Sequence, residues 1–163
     1  ASTMSTARRS PCGYAPGDAS AASAGSILVT RMMVRGVAGI VTDGGLRDSH
    51  EIAALAIPSY CQGPSAPTNL IKHHAADLNV PIGCGGVPVY PGDIMVGDAE
   101  GVVVIPRGIA EAVAHEGRAQ TLFEDFVTEQ VLAGRGIFGL YPPTDPATDG
   151  QFKAWCSAKH PAP

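Results

Sequence analysis

Residues 39–51 read GIVTDGGLRDSHE. Val37 to Thr42, with its β-branched run Ile40-Val41-Thr42, suits a buried strand. Asp43 and two glycines end it, and Arg47, Asp48 and Glu51 then arrive close together in a chain that is only 16% charged. This order predicts a strand, a tight turn in which Gly44 and Gly45 take positive φ, and a short helix over SHEIAALA that Pro58 stops. Two readings of the charges stand side by side. In one, Asp48 is the N-cap of that helix and Glu51 reaches back to complete a capping box. In the other, the turn holds a ligand. The helix N-terminus offers unpaired N–H groups and a dipole that favours an anion. Arg47 adds a planar fork suited to a carboxylate, and Asp48 is a fit ligand for a hard divalent cation. Arginine, carboxylate and metal together describe a site for a small 2-oxo acid.

Upstream, AGSILVTRMMVR (24–35) has apolar residues at 27, 28, 32 and 34, a partly amphipathic helix that Gly36 closes. Residues 1–22 are mostly Ala, Ser, Gly, Pro and Thr, with little to bury, and are expected to be loosely held. Downstream, SYCQG reads as one more short strand. After a polar stretch at 63–79, the runs VPIGCGGVPVY, DIMVGD and GVVVIP read as β, with GDAEG a good hairpin connection. A long helix follows to Gly134, its buried side marked by apolar residues at 109, 113, 122, 123, 126, 127 and 131. The Pro-rich tail, 142–163, shows little periodicity and is expected to cover a surface or reach a neighbouring subunit. The organisation is therefore a loose segment at 1–22, a domain at 23–141 and a tail at 142–163. Its class is α/β, a mixed sheet core with helices against it.

The 163 residues allow one domain with a real core, and a hydrophobic fraction of 45% argues against wholesale disorder. Eleven Lys and Arg face fifteen Asp and Glu, giving −4, and no basic run appears, so direct nucleic-acid binding is not expected. No apolar run approaches the roughly 18 residues of a membrane span. The start, ASTMSTARRS, lacks the apolar segment of a secretory signal. Cysteines at 12, 61, 84 and 156 show no C-x-x-C spacing and read as buried or free thiols of a reducing compartment, hence a cytoplasmic protein. GCGGVPVYPGD (83–93) is followed by no G-K-[ST], and no G-x-G-x-x-G opens a helix, so no phosphate or dinucleotide cradle is present. Its glycines are read as permitting tight turns. His73 and His74 read as a solvated loop pair, Asp93 and Asp98 as turn residues, and Cys84 as structural.

RGVAGIVTDGGLRD (35–48) and VPIGCGGVPVYPGDIMVGDAEGVVVIP (80–106) together resemble the RraA-like family, and the resemblance runs from about Gly17 to Tyr141. That family includes 4-hydroxy-4-methyl-2-oxoglutarate aldolases, which also decarboxylate oxaloacetate, and RraA regulators of ribonuclease E. The resemblance implies a three-layered β/β/α swivelling-type domain with mixed sheets, here apparently shortened at the N-terminus. It implies assembly as a homotrimer or a dimer of trimers. It also implies a lyase dependent on Mg²⁺ or Mn²⁺ that cleaves such 2-oxo acids to pyruvate. The family's other branch implies a non-catalytic protein that binds and regulates a ribonuclease or other partner. Carried onto this chain, Arg47 and Asp48 are the catalytic pair, Arg47 on the substrate and Asp48 on the metal. The stretch Gly25, Ser26, Ile27 and Leu28 lines the substrate. Glu124, from an adjacent subunit, is the match for a further metal residue. The family has an acidic residue about twenty positions before its Arg-Asp pair; that position falls on Ser26.

Overall fold

Short apolar runs broken by glycine and proline cannot make long strands, and the chain uses them instead to shuttle between two sheets. The computed structural model describes residues 12–13, 18–73 and 77–159. Its first strands are β1 (Cys12–Gly13), β2 (Ala22–Ala24), β3 (Ile40–Thr42), β4 (Gly45–Leu46), β5 (Ser59–Tyr60) and β6 (Gly63–Pro64). Odd-numbered strands form one parallel sheet, ordered β1-β3-β5, and even-numbered strands a second, ordered β2-β4-β6. SYCQG is therefore not one strand. The chain leaves the first sheet after Tyr60 and joins the second at Gly63, with the Gln62 N–H donating to Gly44 O at 3.0 Å on the way. Within the segment 1–22, expected to be loosely held, β1 and the start of β2 form; its residues 1–11 and 14–17 lie outside the described ones, as does His74.

Two helices pack with these sheets. Helix α1 (Ser26–Val34) ends as expected at Gly36, whose φ is +80°. Gly36 N–H donates to Met33 O and Val37 N–H to Met32 O, the paired bonds of a Schellman ending. That ending absorbs Val37, which is why the strand expected over 37–42 starts only at Ile40. Helix α2 (Ser49–Ala53) is a single turn and a half. Between them lies a core of Ala24, Val29, Ile40, Leu46, Ile52 and Ile57, with Met32, Met33, Val37 and Leu55 against it. Full burial of a Val, Leu or Ile side chain stabilises by about 1.5–3 kcal/mol, so this cluster anchors the strand ends that build the site. Gly44 and Gly45 depart from expectation. Neither takes a positive φ, and Gly45 lies in β4, where a Cβ would stand 2.5 Å from Ser65 Cβ.

The later β runs form two antiparallel hairpins, of which the sequence predicts the second, through GDAEG. β7 (Ile82–Cys84) and β8 (Val87–Val89) join through Gly85 and Gly86, at φ +59° and +81°. Two positive φ values in a two-residue loop are what a type I′ turn demands. β9 (Ile94–Gly97) and β10 (Val102–Ile105) join through GDAEG, where Asp98 Oδ1 accepts the Glu100 and Gly101 N–H groups at 2.8 and 3.2 Å. Asp93 likewise accepts the Tyr90 N–H at 2.9 Å.

The chain divides into two units, Ala1–Ala110 and Glu111–Pro163. The second is built on α3 (Ala110–Leu132), which Gly134 closes at φ +93°, and α4 (Pro146–Lys159). Helix α4 lies within the Pro-rich tail, whose sequence shows little periodicity. Its Phe152 and Trp155 pack on Phe123 and the buried Phe126 and Leu140, with ring centroids 5.2–6.4 Å apart. The buried side expected along α3 is correct only near its end: Phe126 and Val127 are buried, whereas residues 111–121 are all exposed. Helix α4 meets only the late turns, so among the described residues of the unit nothing covers the earlier apolar positions. No described helix is long and apolar enough to cross a membrane. Cys61, Cys84 and Cys156 are free thiols.

Candidate functional site

Adjacent parallel strands carry their following residues to one edge of the sheet, and here β2 and β4 do so together. Ala24 pairs with Leu46, and the Arg47 N–H donates to Ala24 O at 2.9 Å. The residues that follow are Gly25-Ser26 on one strand and Arg47-Asp48 on the other. Carboxyl ends of parallel strands are the usual place for ligands in such sheets.

Asp48 occupies left-handed space, φ 57° and ψ 42°, a conformation aspartate tolerates better than most residues. It stands at the N-cap position of α2 yet makes no side-chain bond to that helix, so the capping-box reading is wrong. The carboxylate turns instead to α1. Its Oδ2 accepts the Ser26 N–H at 3.1 Å and the Ser26 Oγ–H at 3.2 Å. The reason lies in α1, whose own N-cap is Gly25, with no side chain to satisfy the amides of the first turn. Asp48 provides that cap from the neighbouring strand. The helix N-terminus at the site is therefore that of α1, not the short α2.

Arg47 lies alongside. Its Nε is 3.3 Å from Asp48 Oδ1 and 3.4 Å from Oδ2, and the two side chains are 38% and 32% exposed. The Ser26 backbone N–H holds the Asp48 carboxyl below the ordinary carboxylate range; partial burial opposes this, and the Arg47 charge with hydrogen bonds from Arg47 and Ser26 Oγ reinforces it. Gly25 keeps the space open. A Cβ there would stand 2.9 Å from Asp48 Oδ2 and 3.2 Å from Arg47 Nη2. Gly25→Ala is thus expected to push the carboxylate off Ser26 at a cost of about 1 kcal/mol, because the obstructing atoms are side-chain ends able to move. NMR titration checks it: the Asp48 carboxyl should rise toward the ordinary range.

Of the residues singled out from sequence, Gly25, Ser26, Arg47 and Asp48 come together. Ile27 and Leu28 follow on the first turn of α1, 84% and 45% exposed. Glu124 belongs to α3 in the second unit, where it accepts from Gln120 Nε2 at 2.8 Å and Tyr141 OH at 3.0 Å. The Gln120 bond, and then that of Tyr141, keep it below the ordinary range. Its place in the site rests on the resemblance alone. The sequence reading missed a second rank of residues. Ser23 Oγ and Thr42 Oγ1 lie 2.8 Å apart, Thr42 Oγ1 accepts the Gly44 N–H at 3.1 Å, and buried Asp43 accepts the Gly85 N–H at 3.1 Å. A polar Thr-Asp pair closing an apolar strand was the available signal. Asp43 also lines a separate cleft of about 530 Å³ with Thr42, Tyr60, Cys84, Val102 and Val104, which excludes Arg47 and Asp48.

Among the described residues no group of three or more His, Cys, Asp or Glu side chains could hold a metal ion, so these residues build no closed protein cage. A hard divalent cation such as Mg²⁺ needs less, keeping several waters and using one or two carboxylates plus substrate oxygens. The ionised Asp48, whose Oδ1 faces only Arg47 among its close partners, fits that looser role.

Known proteins bear on this geometry. A protein of Halalkalibacterium halodurans, provisionally named a 4-hydroxy-4-methyl-2-oxoglutarate aldolase, is 42% identical over 104 residues, 64% of this chain and 49% of its own length. The chain thus spans about half the length of that curated relative. A crystal structure of an uncharacterised Pseudomonas syringae protein shares the fold, with a TM-score of 0.76 at 24% identity over 81% of this chain and 62% of that one. Streptomyces coelicolor RraAS2, described as an unusual member of the RNase ES inhibitor RraA protein family, gives 0.62 at 30% identity over 73% and 61%. Residues 14–104, which hold β2, α1, β4 and the whole Arg47-Asp48 edge, match the RraA-like family model described as Aldolase/RraA, and to that family this chain belongs.

Proposed function

We propose that this edge is the site of a carbon–carbon lyase for small 2-oxo di- or tricarboxylic acids, with 4-hydroxy-4-methyl-2-oxoglutarate and oxaloacetate as the substrate type. The observation that carries it is the Arg47-Asp48 pair held against the N-terminus of α1. The Arg47 fork reaches a carboxylate or keto oxygen, and its donation strengthens as negative charge builds on that oxygen during bond cleavage. The early amides of α1 favour the same anion. Absence of a Cβ on Gly25 lets the acid approach the backbone. Asp48, ionised at neutral pH, would hold Mg²⁺ or Mn²⁺, joined by Glu124 of an adjacent subunit in a homotrimer or dimer of trimers. Such a cation, when bound, supplies Lewis-acid polarisation of the 2-oxo group.

The test is oxaloacetate decarboxylation by the purified chain, with Mg²⁺ and with EDTA. Turnover well above that of Mg²⁺ alone, and lost on chelation, is the expected result. A rate equal to the protein-free control sinks the lyase. A second reading, a non-catalytic regulator that binds a ribonuclease or other partner, draws on the neutral Ser26 at the family's acidic position. It expects no turnover together with a stable complex with that partner.

A further inference from the structure

Ser26 does more at this site than stand where an acid is expected. Both of its donors, N–H and Oγ–H, point at the same atom, Asp48 Oδ2, at 3.1 and 3.2 Å. Arg47 Nε adds a third donor at 3.4 Å. One carboxylate oxygen offers about two lone-pair directions, so Oδ2 is fully engaged. Only Oδ1 remains for a cation, and it lies 3.3 Å from the guanidinium nitrogen Nε, a positive charge that repels one. A single half-engaged carboxylate beside an arginine is a weak site for a bare divalent ion, because affinity for such ions follows the number of charged oxygens.

A 2-oxo acid changes this balance. It brings two oxygens that chelate the cation, and a negative charge that neutralises Arg47. Resting on the lyase reading above, we infer that Ser26 makes cation binding conditional on the organic acid: this chain takes up a divalent cation together with a chelating 2-oxo acid and holds the cation poorly by itself. Ser26 is here a positioning residue, acting through Asp48.

The experiment is equilibrium dialysis of the chain against Mn²⁺ at fixed free concentration, with and without oxalate, an unreactive chelating diacid. Oxalate is expected to tighten protein-bound Mn²⁺ by about tenfold or more. Ser26→Asp, which adds a charged oxygen, is expected to tighten Mn²⁺ binding without oxalate and so shrink that ratio, while Ser26→Thr keeps the hydroxyl and the full ratio. Wild-type chain that binds Mn²⁺ equally well with or without oxalate overturns the inference and leaves the lyase reading intact. Retention of Mn²⁺ under neither condition overturns both. The wild-type comparison with and without oxalate decides whether cation binding is conditional even if Ser26→Asp fails to fold.

Discussion

Arg47→Lys is expected to lower kcat/KM for oxaloacetate by about a hundredfold while leaving the protein folded. Charge is conserved in this substitution, so the loss measures shape. Arginine spends Nε on Asp48 and still presents its Nη edge to an acid; lysine has one ammonium and cannot do both. Stability should barely respond. The pair is about a third exposed, and solvent-screened ion pairs of that kind contribute little, so Tm should move by no more than about 4 °C. Comparing kcat/KM and Tm for the two proteins checks it, and activity within a few-fold of wild type would remove Arg47 from the reaction. The pH profile carries a related expectation. Asp48 is held below the ordinary carboxylate range, so its ionised form persists as pH falls, and its protonation should not limit the rate anywhere above about pH 5.

Gly45→Ala is expected to be the most damaging single methyl addition in the sheets. The new Cβ would meet Ser65 Cβ at 2.5 Å, Gly63 O at 3.3 Å and Ala19 O at 3.4 Å. Two of those atoms are backbone, and Ser65 is buried and held by its N–H on Leu46 O at 2.9 Å, so none can step aside cheaply. The cost should be about 3 kcal/mol, a fall in Tm of about 10 °C, by calorimetry. Gly97→Ala is the comparison. Its Cβ would meet the Tyr60 ring at 2.6 Å, but that ring lines the cleft and has room to swing, so the loss should be smaller. Combining Gly45→Ala with Ser65→Gly should recover part of the stability, because the two sites are in direct contact. Additive losses would show that the obstruction is not at Ser65.

How legible this molecule is from its residues depends on the range of the interaction. Local rules read well. The Schellman endings at Gly36 and Gly134, the Gly85-Gly86 turn and the Asp98 hairpin were all visible, because each is decided within a few residues. Pairing between distant strands was not. Strands two to four residues long carry no usable period, so nothing in SYCQG showed that it serves two sheets. The same gap explains the misread capping box. Asp-Ser-His-Glu fits the pattern at α2, but parallel pairing of β2 with β4 brought the amides of an uncapped α1 closer, and Asp48 turned to them. Arg47, Asp48 and Ser26 could be named in advance through the family resemblance. Their mutual geometry, and the supporting bonds of Thr42 and Asp43, became visible only once the strands were placed.

The alternation of odd and even strands has a consequence for assembly. The two sheets are completed at almost the same point of the chain, since β5 closes one and β6, just beyond it, closes the other. Parallel neighbours separated by whole helices must find each other across long stretches of chain, which slows folding. Hydrogen exchange in β3 and β4 should accordingly open as a single cooperative event rather than sheet by sheet.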